Sequence, residues 1–129
     1  MSNRLVGQII KKMKIADNKK AILFITDSEE IMAWADGDCC SDTWIEHIEL
    51  PANGFPAKVL AVEDIEMPDL GQPDGYEYLQ YYGVKITTDK GHMIIDYRNE
   101  SNGYYGGKLV WLDDRYVSTE NWVEINASA

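Results

Sequence analysis

Cysteine is nearly absent from these 129 residues, and its two copies, Cys39 and Cys40, are adjacent. Neighbouring cysteines rarely bridge, because a disulfide usually needs a wider Cα separation than the ~3.8 Å of one trans peptide. The pair therefore argues against a disulfide scaffold and fits a reducing compartment. Long apolar runs are missing too. No stretch approaches the ~18 uninterrupted apolar residues of a membrane span. Met1-Ser2-Asn3-Arg4 also lacks the apolar segment of a secretory signal. A soluble, cytoplasmic protein with no membrane contact is expected.

Positive charge is the scarcest commodity in the middle of the chain. From Ala21 to Val84, Lys58 is the one base beside fourteen acids, whereas Arg4 to Lys20 carries six bases against Asp17. A one-sign stretch of this length on a small protein generates a field that attracts some partners and repels others. It could also be no more than a solvated face. An acidic surface of this kind can imitate a phosphate backbone and occupy the basic groove of a nucleic-acid-binding protein, with affinity falling as salt rises. The same charge repels phosphate, and no basic patch interleaves the aromatic residues, so direct nucleic-acid binding is disfavoured.

Catalytic signatures are also lacking: no segment sets a nucleophile, a base and an orienting group at a recognisable spacing. Cys39, Cys40, His47, Asp36, Asp38 and Asp42 include every zinc-ligand type. However, structural zinc sites separate paired cysteines by two to four residues so that both sulfurs converge. Adjacent side chains of an extended chain point to opposite faces instead. A thiolate activated by His47 or His92 is chemically feasible, but nothing in the sequence fixes their separation. The expectation is a protein without catalytic residues, metal or cofactor.

What the chain does contain is 45% hydrophobic residues beside a formal charge of −10, the mark of one packed domain over residues 1–129 rather than of an acidic tail. Period-two patterning dominates. Ala21 to Thr26 and Val84 to Thr88 are rich in β-branched and aromatic residues and are followed by turn residues, so they read as strands. Each should fold back as a hairpin, the first into Ile31-Met32-Ala33-Trp34 and the second into His92 to Tyr97. Thr26-Asp27 and Thr88-Asp89 precede the two turns. Superposing them also lays Ile31 to Ala33 on Met93 to Ile95, and Asp36-Gly37-Asp38 on Arg98-Asn99-Glu100. That suggests a diverged internal repeat, with Leu5 to Ile15 and Ala57 to Met67 as strand-like lead-ins. Two hairpins of any β-rich chain would also look somewhat alike.

A short helix is possible near 41–50, capped by Ser41 or Asp42, because Trp44, Ile45 and Ile48 would share one helical face. Met67 to Gly75 reads as an exposed proline- and glycine-punctuated loop, and Lys108 to Leu112 as a strand entered through glycines. Residues 113–129 read as a partly flexible tail, with an edge strand at Trp122 to Ile125. The fold class is α+β and β-dominated, with mainly antiparallel sheet built from two β-hairpin units around Leu23, Ile25, Ile31, Val62, Ile86, Ile94 and Leu109. Tyrosine is abundant around glycine, at Tyr81-Tyr82-Gly83 and Tyr104-Tyr105-Gly106. On a strand, one phenol of each pair must face away from the core.

The run from Asp38 through Cys39, Cys40, Ser41, Trp44, Ile45, Glu46 and His47, followed by Lys58 to Glu63 and Gly103-Tyr104-Tyr105-Gly106-Gly107, resembles a small family of phage and prophage proteins known only as a domain of unknown function. The resemblance covers about Leu5 to Leu112. It implies a phage-type accessory protein in the host cytoplasm, a class that includes inhibitors of host defence such as anti-CRISPR proteins. The leading expectation is a non-enzymatic inhibitor that binds a host protein through Asp36, Asp38, Asp42, Trp44, Glu46, Tyr104, Tyr105, Gly106 and Gly107. The alternative is a binder that sequesters a nucleotide signal or metabolite between Asp38 to Trp44 and Gly103 to Gly107. A homodimer through exposed strand edges or tyrosines is also open.

Overall fold

The computed structural model describes residues 4–37, 41–68, 78–101, 106–113 and 121–125. Nine strands account for most of them: β1 (Ile9–Ala16), β2 (Ala21–Thr26), β3 (Glu30–Gly37), β4 (Asp42–Glu49), β5 (Ala57–Glu66), β6 (Tyr78–Thr88), β7 (Gly91–Ser101), β8 (Gly107–Asp113) and β9 (Trp122–Glu124). They form an antiparallel sheet of order β4-β7-β6-β5-β1-β2-β3-β8, with β9 paired to β1.

That order is a palindrome. Reflecting it about the β5-β1 junction exchanges β5 with β1, β6 with β2, β7 with β3 and β4 with β8. The registers obey the same exchange. Phe24 pairs with Ile31 as Ile86 pairs with Met93, and Met13 faces Phe24 as Val62 faces Ile86. At the centre, Ile9 pairs with Lys58, which are equivalent positions of the two halves. The fourth strand of each half is exchanged: β4 follows β3 in sequence yet pairs with β7, and β8 follows β7 yet pairs with β3.

The Thr-Asp pairs show why the hairpins fold alike. Amides of Ser28 and Glu29 donate to Thr26 Oγ1 (3.3 and 3.0 Å), and the amide of Lys90 donates to Thr88 Oγ1 (3.1 Å). Each threonine hydroxyl donates to a carbonyl across its turn, Glu29 or Gly91. Each aspartate then ties the turn to the neighbouring strand: Ile9 N donates to Asp27 Oδ1 at 3.4 Å, and Lys58 N donates to Asp89 Oδ1 at 2.8 Å. Threonine and aspartate recur in such turns because a short polar side chain can satisfy amides that the ladder leaves open.

The helix expected near 41–50 is a strand, β4. Its pairing with β7 slips between Ile45 and His47, so Glu46 is an extra residue in a β-bulge. A bulge resets the alternation, and two residues three apart then face the same side. Ile45 and Ile48 are both buried, whereas Trp44 lies on the other face. The same device in β1 and β5 buries Ile10 with Met13 and turns Val59 and Val62 to one side. Three-residue spacing therefore imitates helical periodicity three times in this chain.

The two halves share a core of Ile10, Met13, Ile22, Phe24 and Ile31 from one and Val59, Val84, Ile86, Met93 and Ile95 from the other. Of the expected core, Ile31 and Ile86 are fully buried, and Val62 and Leu109 pack partly against them. Leu23 and Ile25 belong to a smaller cluster with Ala21, Met32 and Trp122 on the opposite face, and Ile94 is only half-buried. Trp122 to Glu124 does form the expected edge strand, pairing with Lys14 to Ala16.

Candidate functional site

Glycine decides how the exchanged strands meet. Gly37 and Gly107 are cross-strand partners, and so are Thr43 and Asn99; the two pairs are equivalent and pack on each other. A Cβ at Gly37 would fall 2.6 Å from Ser41 Oγ and 2.8 Å from Thr43 Oγ1, and one at Gly107 would fall 2.9 Å from Thr43 Cγ2. Only a residue without a side chain lets the two sheet halves approach this closely. In the space so created, Thr43 Oγ1 hydrogen-bonds Asn99 Oδ1 at 2.7 Å, and Asn99 Nδ2 donates to Gln80 Oε1 at 2.8 Å. Of the two glycines expected to line a binding site, Gly107 packs β8 against Thr43, and a Cβ at Gly106 would fall 3.1 Å from the Tyr82 hydroxyl. Gly107 N also donates to the Tyr82 hydroxyl at 3.3 Å.

The tyrosine pair of β6 divides as its alternation requires. Tyr82 points inward and stacks on Tyr97 (5.1 Å between centroids), while Tyr81 lies outside under the Arg98 guanidinium, 4.9 Å from its ring centroid. Burial pushes the Tyr97 phenol up to about 12, helped by the negative charge of Asp64. Asp38, Tyr104 and Tyr105 lie outside the described residues, as do Cys39 and Cys40.

The remaining expected site residues do not make one bare acidic patch. Asp36 stands opposite Lys108 at the end of β3. Asp42 is ion-paired with Lys20, whose Nζ also donates to the Thr43 carbonyl at 2.7 Å. Trp44 and Glu46 belong to a row on the outer face. Trp44 Nε1 donates to Glu46 Oε1 at 3.2 Å, and Arg98 bridges Glu46 (3.7 Å) and Asp96 (3.2 Å). One guanidinium thus serves two carboxylates, and Asp96 Oδ1 and Arg98 Nε are buried without a hydrogen-bond partner among the described residues. Nor do three or more His, Cys, Asp or Glu side chains converge as a metal site among the described residues.

Carboxylates without an ion-pair partner gather instead on β5. Glu63, Asp64 and Glu66 are exposed, and none of the three ion-pairs with a described residue. Lys85, the one base of β6, faces Glu63 in the register. Along the outer edge of β5, the ladder with β1 pairs only Ile9 with Lys58 and Ile10 with Ala57. Beyond these pairs, Val59 N donates to the Gln8 carbonyl and Gly7 N to the Val59 carbonyl, both at 2.9 Å. From residue 60 onward, β5 pairs with β6 alone among the described residues.

Sequence reasoning counted the β5 acids in the negative stretch but centred the site on β4. Nothing in the sequence alone singled out β5: the strand registers, with Met13 opposite Phe24 and Val62 opposite Ile86, set Lys14 on Glu63 and Ile15 on Asp64, a reversal of charge and polarity.

One shallow hollow of about 270 Å³ opens beside this edge, lined by Met67 and by Tyr78 to Tyr82. Met67 lies across Gly83, where a Cβ would come within 2.7 Å of its Cγ. No helix among the described residues is long and apolar enough to cross a membrane.

Residues 3–111 match the family described as a domain of unknown function (DUF7448). The chain belongs to that family. The DUF7448 match takes in β1 to β7 and most of β8, and β9 lies beyond it. No curated protein and no solved structure matches the chain.

Proposed function

We propose that this DUF7448 protein is a non-enzymatic, phage-type accessory protein that binds a host protein and inhibits it by covering a basic surface. A defence factor or nucleic-acid-processing factor, whose own ligand is polyanionic, is the partner class this chemistry suits. The observation that carries the reading is the set of three exposed acids, Glu63, Asp64 and Glu66, with no ion-pair partner among the described residues, on a strand whose outer edge no described strand covers from residue 60 onward. The centre of the surface accordingly moves from Asp42 and Glu46, which ion-pair with Lys20 and Arg98, to β5. Exposed charges of one sign speed association with an oppositely charged partner and make binding salt-dependent.

The test is capture from bacterial lysate by the tagged protein and by its E63Q/D64N/E66Q variant, each at low and moderate salt. A stoichiometric protein held by the wild type, lost as salt rises and lost in the variant, is the expected result. Equal capture by the variant would refute the role of β5. The hollow at Met67 and Tyr78 to Tyr82 favours a second reading, sequestration of a small aromatic ligand. A retained small-molecule mass in native mass spectrometry, abolished by Tyr81→Ala, would favour it over the first.

A further inference from the structure

The two halves differ most where β9 sits. On β1, Ile15 pairs with Val123 and Lys14 with Glu124, and Ile125 N donates to the Met13 carbonyl at 2.9 Å. That bond shows that Met13 directs its backbone polar groups away from β2, and by alternation Ile15 does so too. The equivalent residues of β5 are Val62 and Asp64, followed at the same alternation by Glu66. Their N–H and C=O groups point away from β6 along an edge that no described strand covers. An open row of this kind is a template for strand addition.

From the occupied site on β1 and its counterpart on β5, which no described strand covers, we infer that β5 accepts an added antiparallel strand at Val62 to Glu66, and that this strand is a basic segment of a partner protein. The inference rests on the proposed acidic surface and specifies how that surface binds. Charge complementarity selects the occupant. On β1, Lys12 lies 3.7 Å from Glu124 of β9, so a basic edge carries an acid-bearing strand; the edge with Glu63, Asp64 and Glu66 calls for the reverse. A second copy of this chain pairing edge to edge would set these acids against one another, which disfavours a β5-to-β5 dimer. The occupied site also indicates a place for an apolar side chain. Ile125, just beyond β9, is buried in the core beside Met13, whereas Val62 remains only partly covered and Leu60 is 52% exposed.

The experiment uses the full chain, isotopically labelled for NMR, and three synthetic peptides of about eight residues, the length of an ordinary strand. One alternates lysine and valine, one alternates glutamate and valine, and the third is the lysine peptide with alternate backbone amides methylated. The lysine peptide is expected to give saturable shifts centred on Ala61 to Glu66 and to slow hydrogen exchange at the Asp64 and Glu66 amides. The glutamate peptide should do neither, and methylation should weaken binding about tenfold or more, because it removes ladder hydrogen bonds while keeping the charge. If the methylated peptide binds β5 as tightly as its parent, strand addition is wrong while the acidic surface stands. If no peptide binds, or if the shifts centre on Lys14 to Ala16 through displacement of β9, the inference fails. An E63Q/D64N/E66Q variant that binds the lysine peptide unchanged would refute the acidic surface as well.

Discussion

Ile15 and Asp64 occupy equivalent places in two halves that share a hairpin, a bulge and a turn, yet one packs against the core under β9 and the other lies exposed on an edge that no described strand covers. The likeness of the halves is a matter of backbone: the same ladder, the same Thr-Asp ties and the same exchanged fourth strand. The difference that bears on binding is a matter of side chains on β1 and β5. Lys11, Lys12 and Lys14 on β1 become Leu60, Ala61 and Glu63 on β5. A fold needs the first kind of agreement, and a binding surface can be written into the second without disturbing it.

The sharpest way to break the comparison is to ask whether the halves are separate units. Phe24→Ala and its counterpart Ile86→Ala are each expected to cost about 3–5 kcal/mol, since both side chains are fully buried in the shared core. Urea unfolding followed by tryptophan fluorescence and by circular dichroism should remain one coincident transition in either variant. Two separated transitions would mean that the halves do not stabilise each other.

The exchange of β4 and β8 depends on the glycine contact. Gly107→Ala should therefore cost about 2–3 kcal/mol by overpacking against Thr43, read as a lowered urea midpoint. Thr43→Ser in the same chain should recover only a small part of the loss, because it removes the methyl group but keeps Thr43 Oγ1, which the new Cβ approaches more closely.

Tyr97 gives the comparison a pH axis, because its counterpart in the other half is Ala35. The ordinary phenol ionises near 10 and the folded one near 12. Below pH 10 both states hold the proton. From there upward the unfolded chain releases it first, so stability is full below about pH 10 and is lost as pH rises towards about 12. At about 1.4 kcal/mol per pKa unit the loss is on the order of 3 kcal/mol. Urea midpoints between pH 9 and 12 would check it, and Asp64→Asn should lower the phenolate absorbance midpoint of Tyr97.

Smaller effects sharpen the account. Thr26→Val and Thr88→Val should each destabilise by about 1 kcal/mol, and similar values from thermal unfolding would support equivalent turns. Lys12→Ala should change stability by less than about 1 kcal/mol, since its ion pair with Glu124 is half-exposed.

Much of this fold was legible in the sequence. The hairpins, the strand at Trp122 and the superposition of Thr26-Asp27 on Thr88-Asp89 all follow from local residue chemistry, which acts over a few positions. The strand character of Asp42 to Glu49 was hidden because a bulge at Glu46 gives Ile45 and Ile48 the spacing of a helix. The exchange of β4 and β8 was hidden because pairing partners far apart in sequence leave no local mark. The candidate site was legible only as a charge total. Which acids are neutralised depends on Lys20 reaching Asp42 and Arg98 reaching Glu46, contacts that span 22 and 52 positions.

The most direct test of the account is native-state hydrogen exchange on the isolated protein, comparing the amides of Met13 and Ile15 with those of Val62 and Asp64. The account predicts protection on β1, where β9 covers the edge, and rapid exchange at Val62 and Asp64, where no described strand covers it. Equal protection at the β5 positions would mean that the edge is already covered, contradicting its role as a receptor for a partner strand.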